Sequence, residues 1–235
     1  MRNRNAPPWQ SASKFRYERK YHLTESDAML VRQRVSYFLT PDRHTEGSYQ
    51  VSSVYFDDAH NTSLHQKRNG VFLRDKWRLR YYNNSLRLIH LERKRKRGEL
   101  ARKEQTLVTE EQYTELCRAD MRCAARQESP VWKAFYTRHL LGRMRPVVVV
   151  DYDREAFSYA PGNVRLTFDT NLRAAMPGSG YSVAVDTGGL LILELKYDSF
   201  LPAVVAGLLS GVQFTQLAIS KYVMARQALL GHSGR

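Results

Sequence analysis

The chain has 235 residues, of which 43% are hydrophobic and 26% charged, enough to bury a core and to exclude a disordered chain. Lys and Arg number 37 against 23 Asp and Glu, a net charge of +14 that calls for an anionic partner: nucleic acid, an anionic membrane or a small polyanion. Cys117 and Cys123 are the only cysteines, which excludes a Cys₄ zinc site and a disulfide framework and predicts reduced thiols in a cytoplasmic protein.

From the N-terminus, Met1 to Ser13 has arginines and Pro7-Pro8 but no apolar core of a secretory signal, and reads as a loose tail. Residues 15–230 read as one domain, flanked by tails at 1–14 and 231–235. Phe15 to Tyr21 alternates as a strand, with Arg16, Glu18 and Lys20 on one face and Phe15, Tyr17 and Tyr21 on the other. Thr24 caps a helix whose apolar stripe is Val31, Val35, Phe38 and Leu39, ending before Pro41. Strands follow at Tyr49 to Phe56, Val71 to Leu73, Lys76 to Tyr82, Leu86 to Lys96 and Leu100 to Leu107. Asn83-Asn84-Ser85 turns a hairpin and Gly98 breaks the pattern. Thr109 to Gln112 is a capping box opening a helix, and Pro130 to Leu141 is another. Val147 to Tyr152, Arg165 to Phe168 and Leu190 to Leu195 read as strands, and Thr215 to Leu230 as a final helix. The apolar run Phe200 to Leu209 holds Pro202 and Gly207 and falls short of the ~20 residues of a membrane span. Many antiparallel-type strands with interspersed helices predict an α+β or barrel fold.

Residues 67–103 hold 14 Lys and Arg and only three acids, Asp75, Glu92 and Glu99, so most of the excess charge lies in one hairpin region. Lys76, Arg78 and Arg80 share a strand face opposite Trp77, Leu79 and Tyr81. His90, Glu92, Lys94 and Lys96 share another, opposite Ile89 and Leu91. A hairpin of this kind usually turns its charged face to water. Against that stands a recurrence: Glu18-x-Lys20, Glu92-x-Lys94 and Glu194-x-Lys196, the last inside the otherwise apolar Leu190 to Leu195 strand. Carboxylates bind a hard divalent cation, and Lys and Arg neutralise phosphate oxygens, so acid and base on one face suit a metal and polyphosphate held together. Lys221 shares a helical stripe with Leu217, Met224 and Ala228; it either snorkels to water or points into an enclosed anion site. There is no Gly-x-x-x-x-Gly-Lys-Ser/Thr loop.

Eight short motifs then occur in order: Arg16 to Tyr21, Val54 to Asp57, Arg78 to Tyr81, Leu91 to Lys94, Tyr152 to Phe157, Arg165 to Asp169, Leu193 to Lys196 and Ser220 to Tyr222. Together they resemble the VTC domain, the polyphosphate polymerase domain of the vacuolar transporter chaperone family. The resemblance implies the triphosphate tunnel metalloenzyme fold, a closed antiparallel barrel of about eight strands, open at both ends, with surrounding helices. It implies that ATP and Mn²⁺ or Mg²⁺ bind in the tunnel and that the γ-phosphoryl group passes to a growing polyphosphate chain. Carried over by motif, Arg78, Arg80, Lys94, Arg154, Arg165 and Lys221 would be phosphate ligands, and Lys20 and Lys196 further lumen cations. Glu194 would be the main metal ligand, assisted by Glu18 and Glu92. Lys103 fits a further family lysine, with Arg102 competing because a one-residue slip swaps faces; Lys67 fits another. Two other readings stay open: a hydrolase of inorganic, nucleoside or thiamine triphosphate on the same fold, and a non-catalytic polyphosphate or nucleic-acid binding module. Any membrane coupling would need a partner.

Overall fold

The computed structural model describes residues 14–42, 47–212, 215–216 and 218–232. In chain order the elements are β1 (Arg16–Leu23), α1 (Glu25–Phe38), β2 (Thr40–Pro41), β3 (Ser48–Asp57), α2 (Thr62–Arg68), β4 (Leu73–Tyr82), β5 (Ser85–Arg97), β6 (Leu100–Val108), α3 (Glu110–Cys117), α4 (Arg122–Ala125), α5 (Pro130–Gly142) and β7 (Arg145–Tyr159). A 3₁₀ turn (Pro161–Asn163) leads to β8 (Val164–Ala175), β9 (Val183–Ala184), β10 (Leu191–Tyr197), α6 (Ala203–Leu208), β11 (Thr215–Gln216) and α7 (Lys221–His232).

Eight strands close into a ring in the order β7-β3-β4-β5-β6-β1-β10-β8, with β8 returning to β7. The pairings around the ring are antiparallel. Closure removes the open edges that a curled sheet would otherwise expose. The ring is not evenly round. β6 meets β1 over only two register pairs, Arg16 with Ala101 and Tyr17 with Leu100. The short β2, β9 and β11 extend β7, β8 and β1.

Local chemistry sets the turns. Asn83 and Asn84 both take left-handed φ, near 50°, as a two-residue hairpin turn needs, and join β4 to β5. Gly98, with φ 58°, joins β5 to β6, and a Cβ there would meet the Phe72 ring at 2.9 Å. Thr24 and Thr109 cap α1 and α3, the latter in a full capping box with Gln112.

Helices pack outside the ring and cover its apolar backs. α1 and α6 bury Val31, Val35 and Val205 against Leu166, Phe168, Leu193 and Leu195. α3, α4 and α5 cover the outer face of β4 and β5, where Trp77, Leu79, Ile89 and Leu91 pack with Trp132 and Phe135. α7 lays Tyr222 and Ala225 against Val51, Val150, Leu172 and Ala174. With apolar residues committed outward and to helices, the charged residues of β4 and β5 must face inward.

Several sequence expectations are corrected. Val71 to Leu73 and Lys76 to Tyr82 belong to a loop and one ten-residue strand. The strands expected at Val147 to Tyr152 and Arg165 to Phe168 are parts of strands of 15 and 12 residues. Phe38 is 59% exposed and lies off the stripe of α1, where Ala28 packs instead. The last helix begins at Lys221, because residues 215–216 pair with Tyr21 and His22 as β11. Leu217 and the tails 1–13 and 233–235 lie outside the described residues. Among the described residues no helix is long and apolar enough to cross a membrane.

Candidate functional site

The ring encloses a cavity of about 250 Å³. Among the described residues its wall carries twelve Lys and Arg side chains but only three Glu: Glu18, Glu99 and Glu194. Register explains why they meet. β1 and β10 run antiparallel with Glu18 opposite Lys196 and Lys20 opposite Glu194, so two Glu-x-Lys motifs form a checkerboard in which each carboxylate faces an amine. β4 and β5 place Arg78 opposite Glu92, Lys76 opposite Lys94 and Arg74 opposite Lys96. β7 and β8 place Arg154 opposite Asp169.

Four buried carboxylates of the ring, Glu18, Glu92, Asp169 and Glu194, are each shared by two or more cations. Glu18 accepts from Lys94 Nζ at 2.6 Å and lies 3.3 Å from Lys96 Nζ. Glu194 lies 2.6 Å from Lys196 Nζ and 3.2 Å from Lys20 Nζ. Glu92 pairs with Arg78 at 2.6 Å and Lys103 at 3.0 Å. Asp169 takes Arg154 at 2.6 Å and the Lys221 amine. Arg80 instead donates to Ser53 Oγ and the Tyr152 hydroxyl, at 3.2 and 3.0 Å. Arg78 also donates to the Tyr55 hydroxyl at 3.0 Å.

The ionisation follows. Burial would raise the Glu18 and Glu194 carboxyls, yet Lys94 at the first and Lys196 and Lys20 at the second hold both well below the usual carboxylate range. Burial likewise opposes, and Arg78 and Arg80 overcome, the charge on Glu92. Asp169 falls to about 2 because Arg154 and Lys221 outweigh its burial. Burial depresses Lys94 and Lys96 to about 8 against the pull of Glu18. Tyr55 drops to about 8, since Arg78 and Arg80 outweigh burial.

Of the residues singled out from sequence, Lys20, Lys67, Arg78, Arg80, Lys94, Arg154, Lys196, Lys221, Glu18 and Glu194 line the cavity. Glu92 and Lys103 face inward but sit behind that wall, bound to each other, with Glu92 also holding Arg78. Lys103 pairs in register with the inward Lys94; Arg102 pairs with Arg95 on the opposite face and bridges to Glu104 at 3.1 Å. The slip is thereby resolved in favour of Lys103 facing in. Arg165 is opposite Lys196, but its guanidinium turns to Asp42 and the Tyr49 hydroxyl at the rim. The site selection from sequence passed over Arg74, Lys76, Lys96, Asp169, Tyr55 and Tyr152. Period-2 alternation already put Lys76 and Lys96 on the inward face, and Asp169 closed one of the eight motifs.

The donor set fits a divalent cation in one way only. Among the described residues no three His, Cys, Asp or Glu side chains come together as a cage. Glu18 and Glu194 do act on each other electrostatically, and Lys20 Nζ lies 4.0 Å from the first and 3.2 Å from the second. Mg²⁺ and ions like it are commonly held by one or two carboxylates plus substrate phosphates, which this pair allows. Glu92 does not line the cavity and pairs with Arg78 and Lys103.

A closed antiparallel ring with a cation-lined interior is the triphosphate tunnel fold. The chain belongs to the VTC domain family, whose match spans residues 15–230. It is similar to a candidate adenylate cyclase from Bacillus halodurans at 12% identity and TM-score 0.50, over 80% of this chain and 83% of that one. A protein of Pyrococcus horikoshii OT3 matches at 13% identity and TM-score 0.46, over 92% and 99% of the two chains. A candidate adenylate cyclase from Vibrio parahaemolyticus matches at 14% identity and TM-score 0.45, over 94% and 88%. No curated protein matches the sequence. The family match and the closed ring support a triphosphate tunnel fold.

Proposed function

We propose that this protein is a metal-dependent polyphosphate polymerase that transfers the γ-phosphoryl group of ATP to the end of an inorganic polyphosphate chain. The observation that carries the reading is the cavity wall: twelve cations, with Glu18 and Glu194 acting on each other electrostatically, around about 250 Å³, in a chain of the VTC family. Ligand pockets for drug-sized molecules run ~300–1,000 Å³, so this volume suits a phosphate chain with the nucleoside at the mouth.

In this reading Arg78, Arg80, Lys94, Arg154 and Lys221 grip phosphate oxygens, and Lys20, Lys67 and Lys196 extend the grip along the wall. Arg165 meets the chain at the rim, with Lys103 supporting from behind Glu92. Glu194 and Glu18 would hold Mn²⁺ or Mg²⁺, which when bound neutralises developing charge on the phosphoryl oxygens. Phosphoryl transfer asks for positioning and charge stabilisation more than for covalent help. The bond from the γ-phosphorus to the β–γ bridging oxygen breaks as a terminal chain oxygen bonds to that phosphorus, and ADP leaves. The terminal phosphate brings its own negative charge, so the wall supplies cations and no general base. The ion pairs of the cavity keep these cations in place until phosphate displaces their carboxylate partners.

The test is incubation with ATP and Mn²⁺, with products resolved on a gel stained for polyphosphate. Chains plus ADP are expected, and Glu194→Gln should lower the metal-dependent rate by at least about tenfold. Free phosphate without chains would favour a triphosphatase on the same fold; no turnover at all would leave a binding module.

A further inference from the structure

The cavity wall is electrostatically divided. Lys20, Lys94, Lys96, Lys196 and Lys221 each sit beside a carboxylate. The α2–β4 side differs. Among the described residues no carboxylate lies within ion-pair distance of Lys67, Arg74 or Lys76. Lys76 Nζ donates to Ser220 Oγ at 2.7 Å and lies 4.9 Å from the Tyr222 ring centre. Arg74 donates to the Val71 carbonyl at 2.5 Å.

From this geometry we infer that Lys67, Arg74 and Lys76, with the Ser220 hydroxyl, form a phosphate subsite that needs no metal. The inference rests on the reading that the cavity takes a polyphosphate chain, and it divides that chain between two environments. On the Glu18–Glu194 side a phosphate must displace carboxylates from their lysines or approach them through a cation. On the α2–β4 side it meets amines and a guanidinium that no carboxylate pairs with, although Glu18 attracts Arg74 from beyond ion-pair distance.

The largest charges acting on Lys76 support this. They are Lys20 from β1, Lys94 from β5, Lys67 from α2 and Arg74 from its own strand, and α7 contributes the neutral Tyr222. Burial and these cations push its amine well below the ordinary lysine range. Lys67 is pushed down to about 8 by burial and then by Arg74, Lys96 and Lys20. Cations crowded without counter-charge are costly in a compact protein, and a bound anion relieves that cost. A metal-free phosphate subsite is the arrangement in which this crowding is useful. The Ser220 hydroxyl, now accepting from Lys76, can rotate to donate to a phosphate oxygen.

The test is calorimetric titration of the full chain with inorganic tripolyphosphate, in EDTA and again with Mn²⁺. The wild type should bind in EDTA. Lys76→Met should weaken that binding by about tenfold or more, and Lys76→Arg should restore most of it. Lys67→Met, at the edge of the cavity, gives a second variant with a smaller loss. Removing a crowded cation should leave the melting temperature unchanged or raised, so lost binding would not report unfolding. Wild-type affinity in Lys76→Met, or binding that appears only with Mn²⁺, overturns the subsite while leaving the polyphosphate cavity standing. Absence of tripolyphosphate binding under both conditions overturns the cavity reading and the subsite with it.

Discussion

Asp169 shows how one side chain holds the site open. It is 3% exposed and takes both Arg154 and Lys221, from a strand and a helix that are distant in sequence. Removing one partner of a buried ion pair leaves the other charged and unsolvated, at about 3–5 kcal/mol. Asp169→Ala should therefore lower the unfolding free energy by an amount in that range in urea titration, and a loss below about 1 kcal/mol would contradict the shared-anchor role. The residue was in view in the sequence as the end of Arg165 to Asp169, but nothing in a strand says which cations a carboxylate will meet. Arg102 and Lys103 make the same point. Adjacent residues on a pleated strand face opposite ways, and only the pairing of Lys103 with Lys94 settles which one faces in.

At the scale of elements, α7 does two things. Its first residue, Lys221, enters the cavity wall, and the next, Tyr222, anchors the helix. The Tyr222 hydroxyl donates to Asp57 Oδ2 at 2.6 Å and accepts from Arg226 at 3.1 Å. Asp57 in turn accepts from the backbone N–H groups of Ser63 and Leu64, tying β3 to α2. A hydrogen bond to a charged group contributes about 1.5–3 kcal/mol. Tyr222→Phe should cost that much in urea titration and speed hydrogen exchange in α7; unchanged exchange there would refute the anchor. The start of α7 is not legible in the sequence because a two-residue strand has no periodicity to read. The partnership of β11 with β1 stops the helix short. The Glu-x-Lys strands were legible as motifs, whereas the checkerboard of β1 and β10 depends on antiparallel register.

For the whole molecule, charge and pH are coupled through the cavity. Burial, with like charge around it, leaves Lys67 at about 8, and burial brings Lys94 and Lys96 to about 8 against Glu18. Tyr55 reaches about 8 where Arg78 and Arg80 outweigh burial. In the unfolded chain such lysines and tyrosines ionise near ~10. Between those values the unfolded chain binds more protons, so stability rises with pH. The melting temperature of the empty protein should climb from about pH 7.5 to about pH 9.5. Tripolyphosphate affinity should fall across the same range, as the three lysines lose their charge. A melting temperature that falls while affinity holds would mean these lysines stay protonated.

The sequence by itself determined the family through its ordered motifs and, by that resemblance, the closed antiparallel barrel, while period-2 alternation against Trp77, Leu79, Ile89 and Leu91 grouped most of the inward cations on one face. Only the tertiary structure decided how the charges pair. Glu18 and Glu194 come together while Glu92 is drawn off by Arg78 and Lys103, and Lys67, Arg74 and Lys76 are left beside other cations. The physical reason is that alternation is a property of one strand, whereas charge compensation depends on register between strands and on which helix closes over them.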